Sequence, residues 1–216
     1  MFSILSIVIF IMAIYLMNKT FIGFQPGSNR INSDVSRFRD LAGKWKSELV
    51  PWSFEETELF SLTEINKVKK KGFGKSGEAV VESIYHEPML YYYYKEYPAT
   101  QRNAIIFTQT ARYEIVYRIR AKAIQVFVNE EFVGSIDPSG VFYREADRLV
   151  LGKIDRSDSS RIKIYVGETR TGTFLVPLEK SVVSPRAFDM DEKLDSNAHL
   201  LFMIQAIYEV VMYLNR

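Results

Sequence analysis

The sequence predicts a mainly β protein with an apolar helix at each end, and three observations predict it. Between Thr57 and Leu178 short β-patterned runs alternate with turn residues, as in a barrel or a sandwich. Ala198–Leu214 (AHLLFMIQAIYEVVMYL) is apolar except at His199, Gln205 and Glu209. Met1–Met17 (MFSILSIVIFIMAIYLM) carries no charged side chain.

A chain of 216 residues can build one sizeable domain with appendages. Charged residues at 25% and hydrophobic ones at 47% belong to a folded protein. The net charge of +2 is too small to argue for nucleic acid. Cysteine is absent, which removes disulfides, thiolate metal sites and cysteine nucleophiles.

The N-terminal uncharged stretch continues to Phe24, broken only by Lys19. Seventeen to twenty helical residues span roughly 25–30 Å, the thickness of a bilayer core. No basic residue precedes the run, and Tyr15, Met17 and Lys19 stand where a signal peptide needs small residues. Residues 1–24 are therefore expected to be a retained transmembrane anchor. Lys19, Arg30, Arg37, Arg39, Lys44 and Lys46 follow it, against Asp34 and Asp40. That bias puts the following domain in the cytoplasm of a single-pass protein.

Residues 25–54 are expected to form a linker with a short helix. Gln25–Asn32 (QPGSNRIN) is polar and contains Pro26 and Gly27. Ser33-Asp34 can cap a helix with Val35, Phe38, Leu41 and Ala42 on one face, ending at Gly43. Leu49–Phe54 reads as an extended segment around Pro51, pinned by Trp52 and Phe54.

The domain at 55–216 begins with strands. Candidates are Leu59–Ile65, Ala79–His86, Met89–Tyr94, Ala104–Thr110, Arg112–Lys122, Ile124–Asn129, Phe132–Asp137, Val141–Arg144, Arg148–Ile154, Arg161–Val166 and Gly172–Pro177. In Arg112–Lys122 the odd positions are Tyr113, Ile115, Tyr117, Ile119 and Ala121, and the even ones are mostly basic. Period two with one apolar face is a half-buried antiparallel strand. Tyr91–Tyr94 fills both faces of a sheet, and His86 stands at a strand end. Ile124–Gly134 (IQVFVNEEFVG) matches Ile162–Gly172 (IKIYVGETRTG) without a gap, predicting two alike hairpins with tight Asn-Glu and Gly-Glu turns. Each final glycine is expected where backbone meets backbone.

A helix apolar on nearly all sides, as Ala198–Leu214 is, must be surrounded by protein or lipid. Glu209 and a length of only about 25 Å argue against a second span. Inside a protein, His199, Gln205 and Glu209 would find backbone partners at the rim.

The strand-turn-strand Val126–Ile136, the hairpin ending at Gly172 and the helix Ala198–Leu214 together resemble the tubby C-terminal, LURP-one and phospholipid scramblase superfamily. The likeness spans about Glu55 to Arg216 and is one of pattern. It implies a closed antiparallel β-barrel of about twelve strands around a hydrophobic C-terminal helix. It also implies a binding or membrane-associated module, without transferring any site residue by residue.

Two basic groups are candidates for lipid or phosphate. Lys67, Lys69, Lys70, Lys71 and Lys75 crowd a glycine-containing loop, where each cation near an anionic surface contributes roughly 1 kcal/mol. Its alternative role is a solvated hairpin tip. Gly74-Lys75-Ser76 is no P-loop, since Lys69 stands where that motif needs glycine. Arg112, Arg118, Arg120 and Lys122 line one strand face, which could hold phosphate or simply be the wet side. With only His86 and His199, a multi-histidine metal site is unavailable, and no cofactor is expected. Asp137, Asp147, Asp155, Asp158 and Asp189 read as turn residues.

The functional expectation is a non-enzymatic binding or scaffold module held at the membrane, contacting anionic lipid or an unidentified protein partner. A scramblase-type lipid-handling protein and a hydrolase with dispersed carboxylates are the alternatives.

Overall fold

The computed structural model describes residues 2–22, 26–70, 74–99, 101–121, 123–177 and 186–215, and within the first helix only the side chains of residues 6–17. Helix α1 is Phe2–Ile22, α2 Ser28–Lys46 and α3 Phe54–Thr57. Twelve strands follow: β1 Phe60–Lys70, β2 Ser76–Ser83, β3 Pro88–Glu96, β4 Asn103–Gln109, β5 Glu114–Arg120, β6 Ala123–Val128, β7 Glu131–Ile136, β8 Val141–Tyr143, β9 Val150–Asp155, β10 Arg161–Val166, β11 Thr169–Leu175 and β12 Phe188–Met190. Helix α4, Ser196–Leu214, ends the chain.

The strands form one 12-stranded sheet in strict sequence order, antiparallel throughout. Where β12 returns to β1, the seam carries the isolated bridge Ser61↔Arg186 and an Ala187 N–H to Phe60 carbonyl bond of 2.8 Å. The barrel is thus nearly closed, where the resemblance implies full closure: β12 is only three residues long and too short to build a complete ladder.

Helix α4 runs through the interior. Phe202, Met203, Ile204, Ala206, Ile207, Val210 and Val211 are fully buried and share one core with Ile106, Ile115, Tyr117, Val126, Ile154 and Phe174 from the inner sheet face. Its polar residues are met one by one. His199 Nε2 lies 3.0 Å from Thr57 Oγ1. Gln205 Nε2 donates to the carbonyls of Tyr165 (3.0 Å) and Leu201 (3.1 Å). Glu209 accepts from Arg156 Nε at 3.0 Å and Nη2 at 2.5 Å. Only Gln205 has the backbone partners expected of all three; the other two are answered by side chains. Tyr117 adds a hydroxyl bond to the Ile204 carbonyl at 2.7 Å.

The alternation in β5 emerges as read: Ile115, Tyr117 and Ile119 point inward, and Val116 points outward. Tyr92 and Tyr94 belong to the inner core, Tyr91 and Tyr93 to an outer one. The two matched hairpins are alike down to their irregularity. Val126 pairs Gly134 and Ile164 pairs Gly172, each with a register shift just beyond. A Cβ at Gly134 would sit 2.3 Å from the Tyr143 carbonyl oxygen, and one at Gly172 3.0 Å from that of Asp189, so neighbouring backbone requires both glycines.

The segment before the barrel differs from its reading. Helix α2 starts five residues before Ser33, after Gly27, and passes through Gly43 to Lys46. Asp34 is not a cap: it is buried within the helix, 2.6–2.7 Å from Lys95 Nζ and 2.6 Å from the Tyr97 hydroxyl. Ile31, Phe38 and Ala42 close the outer core against Val80, Tyr91, Tyr93 and Phe107, with Phe38 stacked on Tyr93 at 4.0 Å. Tertiary packing thus extends a helix whose polar start gives little local signal. Trp52 is pinned as expected, stacked on Phe60 at 4.5 Å, while Phe54 opens the single turn α3 behind a Ser53/Glu56 capping box. Asp189, read as a turn residue, pairs Thr173 in β12.

Helix α1 stands apart from both cores. Every side chain from Ser6 to Met17 is exposed, Phe10 to 67%. Among the described residues, α4 is the helix long and apolar enough to cross a membrane, and Ser6–Met17 is a shorter apolar helix.

Candidate functional site

Because the strands form a meander, each sits with one end at either of two rims. Helix α4 enters beside α3, where His199 meets Thr57, and leaves where Lys69 Nζ donates to the Leu214 carbonyl at 3.0 Å. The register walks round this exit rim: Lys70 pairs Ser76, Ser76 pairs Lys95, Glu96 pairs Ala104, Asn103 pairs Arg120, and Arg120 pairs Ala123.

The exit rim gathers much of both predicted basic groups. Lys69, Lys70 and Lys75 flank the β1–β2 connection and are exposed, as is Arg120 at the end of β5. Lys67 lies further down β1 and pairs with Glu64. Lys71 and Lys122 lie outside the described residues. Arg112 is in the β4–β5 turn at the opposite rim, and Arg118 points into a cleft under α2. The predicted loop is mostly strand, since Lys67, Lys69 and Lys70 all belong to β1.

Two arginines join this rim that sequence reasoning did not single out. Arg102 and Arg156 line a cavity of about 400 Å³, together with Asp137, Tyr208, Glu209 and Met212. Arg102 Nη2 donates to Met212 Sδ at 3.1 Å. Arg156 is committed to Glu209, which is 3% exposed. Neither arginine sits in a periodic pattern, so nothing local marks it. Among the described residues no carboxylate lies within ion-pair distance of Lys69, Lys70, Lys75, Arg102 or Arg120. The acids nearby are occupied by turns: Asp137 accepts from Ser139 Oγ and Val141 N–H, Asp155 from Ser157 N–H, and Asp158 from Ser160. These turn bonds hold all three carboxyls below the usual range, against a burial that pushes Asp137 up.

The N-terminal end of α2 lies on the same side. Arg30 stacks over Tyr97 at 5.8 Å, and Asp34 holds Lys95. Burial pushes the Asp34 carboxyl up, but the bonds from Lys95 and Tyr97 outweigh it and hold it below the ordinary value. Six Cα steps of about 3.8 Å connect Ile22 to Ser28, so α1 ends within about 23 Å of this point.

The opposite rim has another character. Tyr85, Phe132, Leu149 and Val150 are large, apolar and exposed there. His86 is in its β2–β3 turn with a positive φ of 63°, its Nδ1 3.1 Å from Glu82 Oε2. Burial pushes His199 down from its ordinary value beside Thr57. Among the described residues, no group of three His, Cys, Asp or Glu side chains could hold a metal ion. Compared with known proteins, the chain matches no protein-family model, no curated protein and no solved structure.

Proposed function

We propose that this chain is a single-pass, membrane-anchored binding module, non-enzymatic, with its barrel in the cytoplasm and its exit rim turned to anionic lipid headgroups. The observation that carries this reading is α1: twelve consecutive side chains, Ser6–Met17, uncharged and all exposed, on a chain whose barrel has already filled its core with α4. So much exposed apolar surface needs a cover, and a bilayer supplies it along the full 21 residues of α1, about 32 Å at 1.5 Å per residue. The short tether to α2 then keeps the exit rim near the headgroups. There Lys69, Lys70, Lys75, Arg102 and Arg120 each contribute roughly 1 kcal/mol against an anionic surface. The one-sheet meander around a C-terminal helix supports kinship in architecture with the tubby, LURP-one and scramblase superfamily. Binding is favoured over lipid transport because α4 is enclosed by strands and offers lipid no apolar path.

The test uses the full chain in sealed vesicles. It should resist alkaline carbonate extraction, and amine labelling of Lys70 and Lys75 should drop when phosphatidylglycerol is added to phosphatidylcholine, recovering in high salt. A carbonate-soluble chain would sink the anchor, and equal labelling in both vesicles would sink the headgroup contact.

A further inference from the structure

The cleft between α2 and the outer face of β5–β6 holds about 360 Å³, within the size range of small-molecule pockets, about 300–1,000 Å³. Val35, Val116 and Phe127 form its apolar lining. Its two ends carry opposite charge balance. At one end Arg39 is gripped by Glu114 through two bonds of 2.6 and 2.7 Å and also meets Glu130 at 2.6 Å, so two carboxylates face one guanidinium. At the other end, four residues along β5 and roughly 13 Å away, stands Arg118.

Arg118 is held but not neutralised. Its Nη2 donates to Asn32 Oδ1 at 2.8 Å, and its guanidinium lies 4.8 Å from the Phe127 ring centre. Its Nε is buried and has no hydrogen-bond partner. Among the described residues no carboxylate lies within ion-pair distance of it. Native interiors rarely leave a buried donor unpaired, least of all on a cation, whose desolvation is costly. Burial, with Arg120 nearby, already pushes this guanidinium down. Asn32 and Phe127 fix its plane, so the guanidinium is held in place beside the cleft as an uncompensated cation for an anionic acceptor.

We propose that this cleft is a binding site for a small organic monoacid, whose carboxylate meets the Arg118 guanidinium while its apolar body lies on Val35, Val116 and Phe127. The surplus negative charge around Arg39 fixes the polarity, because an anion is repelled from that end. The site is on the barrel wall and does not depend on the rim contacting lipid.

The experiment follows the Nε–H signal of Arg118 by NMR, in full-length chain labelled with ¹⁵N-arginine and held in phosphatidylcholine nanodiscs. Benzoate should shift that signal saturably. Benzylamine, with the same ring and opposite charge, should not, and inorganic phosphate should bind at least tenfold more weakly for want of an apolar body. Arg118→Lys removes the Nε–H and identifies the signal; benzoate binding to it, followed on the benzoate resonances, should weaken at least tenfold. Val35→Phe fills the cleft while keeping Arg118, and should abolish the shift with the Arg118 signal still present. Nanodiscs containing phosphatidylglycerol should leave the signal in place. No saturable shift, an equal response to benzylamine or phosphate, unchanged binding in either variant, or a shift from phosphatidylglycerol as large as that from benzoate would each overturn the assignment.

Discussion

Helix α1 exposes every described side chain from Ser6 to Met17, whereas α4 buries the run from Phe202 to Val211. Both are long and apolar, at 21 and 19 residues, and composition alone separates them poorly. The difference lies in three polar side chains. His199, Gln205 and Glu209 punctuate α4, and their surroundings answer each: Thr57 of α3, the Tyr165 carbonyl and Arg156. Ser6–Met17 offers no charge to be answered, and none of its residues belongs to either core. A helix built for a protein interior carries polar groups that its surroundings satisfy, and one suited to lipid does without them.

Deletion separates the two helices most completely. Removing residues 200–216 should abolish the cooperative thermal transition, because it empties the inner core. Removing residues 2–22 should leave the transition in place, as followed by circular dichroism. If both deletions unfold the barrel, the two helices are not distinct in role.

Single residues grade the same contrast. Phe202→Ala should cost about 3–5 kcal/mol by denaturant unfolding, the usual loss for a buried aromatic, and Phe10→Ala should leave barrel stability unchanged. Ile11→Glu reverses the assay: an acid at mid-helix should weaken membrane retention by about 2.5–3.5 kcal/mol with no effect on the melt. Glu209→Leu should destabilise the barrel by about 1–3 kcal/mol, since Arg156 is left without its carboxylate.

The polar contacts of α4 also predict a pH response. Burial lowers the His199 pKa, so the unfolded chain binds the proton more readily. Its contribution is whole above the ordinary value of 6.5 and declines as pH falls from there towards the folded pKa. Melts between pH 7 and pH 5 should show that decline and lose part of it in His199→Gln. Asp34 acts later in the same direction: its lowered pKa makes its contribution present above the ordinary 3.8 and lost as pH falls through the folded value. The smallest effect belongs to Gln205→Met, at under about 1 kcal/mol, because the Gln205 Oε1 is buried without a partner and the amide gains only part of what it gives up.

Period two made β5 legible, while strands buried on both faces, such as β3 with Tyr91–Tyr94, were legible as β-forming apolar runs bounded by turn residues. Strand β12 was not, since Phe188–Met190 is too short to show a period and is defined by pairing with β11. The basic residues were legible as chemistry but not as sites. Lys69 and Arg120 share a rim, Arg112 lies at the other, and Arg118 faces a cleft, because the register distributes neighbours in sequence to opposite ends and faces. Arg102 and Arg156 gave no local signal, and Asp34 gave a misleading one as a helix cap.

The local and periodic properties can be read from the sequence alone: most of the strands, the two alike hairpins and the apolar helices. These follow from backbone geometry repeated over several residues, which any local window contains. Only the tertiary structure decided the pairings that join distant positions. It brought Arg156 to Glu209, 53 residues away, Lys95 to Asp34, 61 away, and Arg118 to Asn32, 86 away. Such contacts depend on register and on the path of α4 through the barrel, and no local pattern encodes either.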